Sequence, residues 1–244
     1  MSGNWDFYLC QVENKPASMF VDLDIAAPVD GFAVMGYIRI FMNSPREDGL
    51  SSQEESATLN QIEDHIAQLV NDNVLYVGRC TKDGSRDFIL YLKEADLWAE
   101  KAGKVMETFP EYEYETGIQD DRDWSVYLNY LSPSQKDRQI INNRRICSTL
   151  KKHGDALDQA RDLDHWAYFP DVKSRAVFIE KVSASGFLIE KLIEPDDEYP
   201  EYGVKLKRSD IPSHDHIDQI TLPLFHLAAE LGGKYDGWAT YLVS

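Results

Sequence analysis

Gly232-Gly233-Lys234-Tyr235-Asp236-Gly237-Trp238-Ala239-Thr240-Tyr241 joins a helix stop to an aromatic strand, with two glycines and an Asp-Gly pair between them. Gly232 and Gly233 end the preceding helix so that the chain can reverse. Asp236-Gly237 then falls at the start of the final strand rather than in a two-residue hairpin, which predicts a bulge or a close neighbour at Gly237. Tyr235 and Trp238 are large enough to demand either a core or a partner. The segment is therefore a demanding fold element or a contact site.

Upstream of it, the pattern predicts a strand over 163–169 and a helix over 171–185, begun by Asp171 and closed by Gly186. Strands over 187–194 and 202–208 follow. Ile217, Ile220, Leu224, Leu227, Ala228 and Leu231 give the last helix its apolar face, although Pro223 is awkward in an interior. Either the helix kinks there or its regular part begins near Thr221. The order is βαββαβ, which right-handed crossovers turn into a four-stranded antiparallel sheet with both helices on one face, a ferredoxin-like sandwich whose other face is open. In Asp164-His165-Trp166-Ala167-Tyr168-Phe169, alternation puts Trp166 and Tyr168 on one side and His165, Ala167 and Phe169 on the other, so one set is expected on that open face. The competing reading places both sets in a core, under the helices or under the N-terminal half.

The first part of the chain, 1–133, reads as βββαββαββ, a mixed antiparallel sheet with two helices. Strand-like runs cover Trp5 to Val12, Met19 to Ile25 and Phe32 to Met42, and Ser52 with Glu55 makes a capping box ahead of Leu59, Ile62, Ile66 and Leu69. Lys82-Asp83-Gly84-Ser85 signals a hairpin, and Trp98, Ala102, Val105 and Phe109 mark a second helix. Two further strands are expected at 111–118 and 124–131. Residues 134–154 read as a basic helix linking this domain to a second one at 155–244. The whole is α+β in two domains.

Acidic residues outnumber basic ones 24 to 10 over 1–133 and 17 to 9 over 155–244, whereas 134–154 holds 1 acid and 6 bases. Two acidic blocks disfavour phosphate-backbone binding and favour a basic partner. RNA-recognition modules also stack bases on aromatic sheet faces, but they add basic charge that is missing here. Cys10, Cys80 and Cys147 are far apart and lie in apolar runs, which suggests neither disulfides nor a CxxC site. No apolar stretch approaches the roughly 20 residues needed to span a bilayer, and a cytoplasmic protein with no membrane association is expected.

Chemistry is harder to find. GxxxxGK[ST], GxGxxG, HExxH, GxSxG and CxxC runs do not occur. Ser213-His214-Asp215-His216-Ile217-Asp218 is dense in metal-ligating types, yet Ser213 as an N-cap with acids in the first turn explains it. Asp120-Asp121-Arg122-Asp123 suits a solvated turn, and Asp22 with Asp24 a wet strand face. No catalytic residue, cofactor or metal is expected.

The block from Asp155 to Ser244 resembles the regulator of ribonuclease E activity B family. Asp164-His165-Trp166 opening a strand, Gly186-Phe187 after the helix and above all Tyr235-Asp236-Gly237-Trp238-Ala239-Thr240 carry the likeness. Residues 1–131 resemble a domain of unassigned function found ahead of this regulator-like domain in some bacterial proteins, through Asn14-Lys15-Pro16-Ala17-Ser18, Asp48-Gly49-Leu50-Ser51 and Tyr91-Leu92. The resemblance implies a non-catalytic regulator that binds a protein partner, ribonuclease E or another basic segment, and so modulates RNA decay. Its candidate contacts are Asp164, His165, Trp166, Tyr168, Tyr235, Asp236, Gly237 and Trp238. The alternative is a small-molecule-binding or catalytic N-terminal domain, with the C-terminal one serving for dimerisation or docking.

Overall fold

A computed structural model describes residues 3–197 and 200–243. It divides into two compact units, Met1–Asp137 and Arg138–Ser244.

In the first unit, β1 (Trp5–Val12) and β2 (Lys15–Asp22) form a hairpin, followed by β3 (Val34–Phe41), α1 (Gln53–Ala67), β4 (Val74–Lys82), β5 (Ser85–Leu92), α2 (Trp98–Met106) and β6 (Tyr114–Asp120). Ser52 caps α1 by accepting the Glu55 amide, the first half of the expected capping box, while the Glu55 carboxylate accepts from the Asn43 and Ser44 amides. The β4–β5 turn puts Asp83 and Gly84 at φ 50° and 78°, the conformation for which Asp-Gly is chosen. All six strands join one antiparallel sheet in the order β1-β2-β4-β5-β3-β6. Leu59, Ile62 and Ile66 of α1 and Trp98, Ala102 and Val105 of α2 pack on Ile38, Ile40, Phe88 and Leu90 of the sheet.

The strand expected at 124–131 is instead a π-helical turn, Val126–Leu131. Its aromatic, β-branched composition suggests a strand, but Trp124, Tyr127 and Leu131 are the buried residues, and their spacing of three and four is helical. Asp121 starts the turn by accepting from the Ser125 amide at 2.9 Å, the Ser125 hydroxyl at 2.6 Å and the Val126 amide at 3.1 Å. The Tyr91 hydroxyl donates to the same carboxylate and accepts the Tyr127 amide. Trp124, at φ 57°, stacks on Tyr91 with centroids 3.8 Å apart. The turn thus covers the sheet face opposite the helices, and β5 is buried on both sides.

The second unit contains α3 (Gln135–Lys152) from its second turn onward, then β7 (Arg161–Phe169), α4 (Val172–Ala184), β8 (Leu188–Ile193), β9 (Tyr202–Asp210), α5 (Ile217–Glu230) and β10 (Lys234–Ala239). Its sheet is antiparallel in the order β10-β7-β9-β8, the ferredoxin-like arrangement. The helix read as a linker belongs to this unit, because Cys147 is fully buried in its core with Ile146 and Leu150 packed alongside. The division between the units accordingly falls after Asp137, inside the 134–154 segment read as a linker. Asp171 caps α4 through the Ser174 amide at 2.8 Å. α5 continues through Pro223 from Ile217, so its regular part does not begin at Thr221, and His216 rather than Ser213 is its N-cap.

Strand order shows that the two units share a plan. β4-β5-β3-β6 in the first matches β8-β9-β7-β10 in the second, position for position, with the β1–β2 hairpin added beside β4.

Asp121 yields a pH prediction. Desolvation pushes its carboxyl up, but hydrogen bonds from Ser125, Tyr91 and Val126 outweigh this and hold it below the ordinary value of 3.8. A depressed folded value gives stability that is present above the unfolded value and lost as pH falls through the folded one. Asp121→Asn should therefore destabilise the chain by about 1–3 kcal/mol at neutral pH, and urea titrations below pH 4 should show the wild-type advantage shrinking.

Candidate functional site

β7 and β10 lie side by side, and their register decides where each candidate residue points. Tyr235 pairs with Ala167 and Trp238 with His165 on the helix-covered face, while Lys234 pairs with Tyr168 and Gly237 with Trp166 on the other. The register slips between Tyr235 and Gly237, making Asp236 the extra residue of a bulge. Gly237 has φ 132° and nothing within 4 Å of a built Cβ. The bulge anticipated at Gly237 is present and the close neighbour is not.

The glycines ahead of this strand have different tasks. The Gly233 amide bonds the Ala228 carbonyl at 2.8 Å and the Gly232 amide the Ala229 carbonyl at 3.0 Å, closing α5 with Gly232 at φ 72°. Gly233 has no room for a side chain, since a Cβ would meet the Tyr168 carbonyl oxygen at 2.5 Å.

On the helix-covered face, Trp238 is 5% exposed and its indole donates to Asn143 Oδ1 at 2.9 Å. Gln139 Nε2 donates to the same oxygen, and Asn143 Nδ2 donates to Asp218 and to the Thr221 hydroxyl, each at 2.7 Å. The Tyr235 hydroxyl and His165 Nδ1 are 2.7 Å apart, both residues being buried. Burial, with Arg208 nearby adding to it, lowers the His165 imidazolium to about 3. Three contact candidates, His165, Tyr235 and Trp238, are thus core residues and cannot touch a partner in this fold.

The other candidates gather on the helix-free face. Asp164, Trp166 and Tyr168 alternate along β7 there, each partly exposed. Gly237 leaves one flank of Trp166 bare. Gly203 instead lies under Tyr168, whose ring packs against it so closely that a Cβ there would strike the ring at 2.8 Å. Lys205, 5.4 Å over the Trp166 ring, bonds Asp164 at 2.9 Å and Glu190 at 2.6 Å, and Lys207 bonds Asp162 at 2.9 Å and Glu190 at 3.3 Å. Hydrogen bonds with Lys205 and then Lys207 lower the Glu190 carboxyl, while Lys205 is raised by its bonds to Glu190 and then Asp164, and Lys207 by its bonds to Asp162 and then Glu190. The ladder fixes one end of the face and reaches over the Trp166 ring, which with Tyr168 beyond it forms an aromatic shelf. Next to Tyr168, the described residues of the β8–β9 connection include Glu194, Asp196, Asp197 and Glu201 and no basic one.

In the first unit, the two motifs Asn14–Ser18 and Asp48–Ser51 meet at the β1–β2 and β4–β5 turns. Their charges are neutralised by neighbours outside the motifs, Lys15 by Asp83 at 2.5 Å and Asp48 by Arg46 at 2.6 Å. Gly49, at φ 79°, bonds the Gly84 amide through its carbonyl, and a Cβ would lie 2.9 Å from the Asp83 backbone. These motifs build a loop contact.

The architecture is that of a two-unit α+β protein whose second unit is a ferredoxin-like sandwich with one uncovered sheet face. The chain belongs to the family described as Family of unknown function (DUF695), whose model matches residues 3–132, and residues 140–240 match the family described as Regulator of ribonuclease activity B. A solved structure titled "Crystal Structure of an Unknown Protein from Galdieria sulphuraria" aligns with 85% of this chain and 99% of its own, at 10% identity and a TM-score of 0.24, too loose a likeness to bear on the fold. No curated protein matches the chain. Among the described residues no helix is long and apolar enough to cross a membrane.

Two measurements follow from the buried face. Trp238→Ala should cost on the order of 3 kcal/mol in a denaturant titration, the range for deleting a large core side chain. Because the folded His165 value lies below the ordinary 6.5, the unfolded state binds the proton first. Stability should decline as pH falls from that ordinary value toward the folded one, and His165→Phe should flatten the decline.

Proposed function

We propose that the second unit is a non-catalytic docking module that captures an extended basic segment of a protein partner on its helix-free sheet face, and that this partner is a ribonuclease of the ribonuclease E type. The observation that carries the reading is the pair Trp166 and Tyr168, held partly exposed between two glycine positions beside an acidic connection. Flat aromatic anchors of this kind dominate interface energies. A surrounding excess of 17 acids over 9 bases across 155–244 supplies complementarity to Lys- and Arg-rich chain. The match to a family of ribonuclease regulators supports regulation by binding, and modulation of RNA decay is its consequence.

The full chain should co-precipitate ribonuclease E and slow its cleavage of substrate RNA. Trp166→Ala, a surface change, should weaken both effects by about 2 kcal/mol or roughly thirtyfold while the melting curve stays near wild type. Absence of binding and inhibition at micromolar protein contradicts the proposal. Binding of RNA itself with a steep salt dependence would contradict it differently, by assigning the face to nucleic acid.

A further inference from the structure

β8 is a free edge of the second unit's sheet, and at this place the two units part company. The equivalent strand of the first unit, β4, is covered by β2 of the added hairpin. Among the described residues no strand pairs with the outer side of β8, and Leu188 is 64% and Leu192 49% exposed. A bare edge carrying exposed apolar side chains is a template for another strand.

The sequence of β8 says which one. Leu188-Ile189-Glu190-Lys191-Leu192-Ile193 has the same chemistry read inward from either end, apolar, apolar and then a charge of opposite sign. Paired antiparallel with itself, it sets Leu188 against Ile193, Ile189 against Leu192 and Glu190 against Lys191. Ordinary strand alternation forbids that register. Residues an odd number apart point to opposite faces, whereas directly paired residues must share one. β8 removes the obstacle with a bulge, because its pairing with β9 slips between Ile189 and Lys191. Six residues then fill five pairing positions, with Glu190 and Lys191 together at the centre. Leu188, Lys191 and Ile193 pair with Lys207, Lys205 and Gly203 on the helix-free face, and Ile189 and Leu192 with Leu206 and Val204 on the covered face. Every self-pair now shares a face. Glu190 points toward Lys205 and Lys207, and Lys191 makes no ion pair among the described residues, so it is free to meet a carboxylate across the axis.

We infer that β8 pairs antiparallel with β8 of a second copy of this chain, about a two-fold axis through the Glu190–Lys191 bulge, giving one continuous eight-stranded sheet. The axis stands perpendicular to the sheet, so both helix-free faces look the same way. The two β7 strands are separated by five inter-strand spacings, about 24 Å. The dimer consequently offers two aromatic shelves to one extended segment and gains from their linkage. The pairing itself does not depend on what those shelves bind.

Sedimentation velocity on the full chain across the micromolar range, with no ribonuclease present, tests this separately from the proposed function. A reversible monomer–dimer equilibrium is expected. Lys191→Glu, which faces like charges across the axis, and Leu192→Asp should each weaken it by about tenfold or more, since symmetry counts every lost pair twice. Leu9→Asp, on the exposed β1 edge of the first unit, should leave it unchanged, and circular dichroism should show all three variants folded. A chain that stays monomeric throughout overturns the inference. So does a dimer that Lys191→Glu and Leu192→Asp leave intact, which would place the contact elsewhere.

Discussion

The hydrogen bond from the Trp238 indole to Asn143 Oδ1 is the constraint on which the second unit depends. Asn143 is fully buried, and its amide is used from both ends, accepting from Trp238 and Gln139 and donating to Asp218 and Thr221. Leaving any of these groups unpaired inside the core would cost about 1–3 kcal/mol, so the last strand can dock in only one register. That register ties β10 to α3 and α5. It also sends Gly237 to the opposite face, where it bares the flank of Trp166. A core requirement thereby shapes the surface.

This coupling explains why the terminal motif resists a simple reading. Alternation along β7 is legible, and Trp166 and Tyr168 separate from His165, Ala167 and Phe169 as the pattern requires. Within the motif, the same alternation is broken by the Asp236 bulge, which lets Tyr235 and Trp238 share the covered face although they are three apart. The bulge is hinted at by Asp-Gly in a strand, but its effect on facing becomes visible only once strand pairing is known.

Elsewhere, legibility follows how local the deciding interaction is. Helix caps at Ser52 and Asp171 and the Asp83-Gly84 turn are decided within four residues, and the chain spells them out. The place of α3 is decided by Asn143 and Cys147 meeting residues more than sixty positions away, while its six basic residues advertise a solvated linker. Likewise the 124–131 segment has the composition of a strand, and only the carboxylate of Asp121 and the ring of Tyr91 make it a π-helical turn. The βαββαβ order is legible in the second unit, whereas the strand order it shares with the first, the covering of one edge by a hairpin and the baring of the other become visible only with strand pairing.

The central claim is that one face of the β7–β10 pair is core and the other is the contact surface. Hydroxyl-radical footprinting read by mass spectrometry, on the full chain alone and with ribonuclease E, tests it most directly. Oxidation of Trp166 and Tyr168 in the free chain, their protection in the complex, and inert Trp238 and Tyr235 in both are the predicted result. Ready oxidation of Trp238, or Trp166 equally reactive with and without a bound partner, would contradict it.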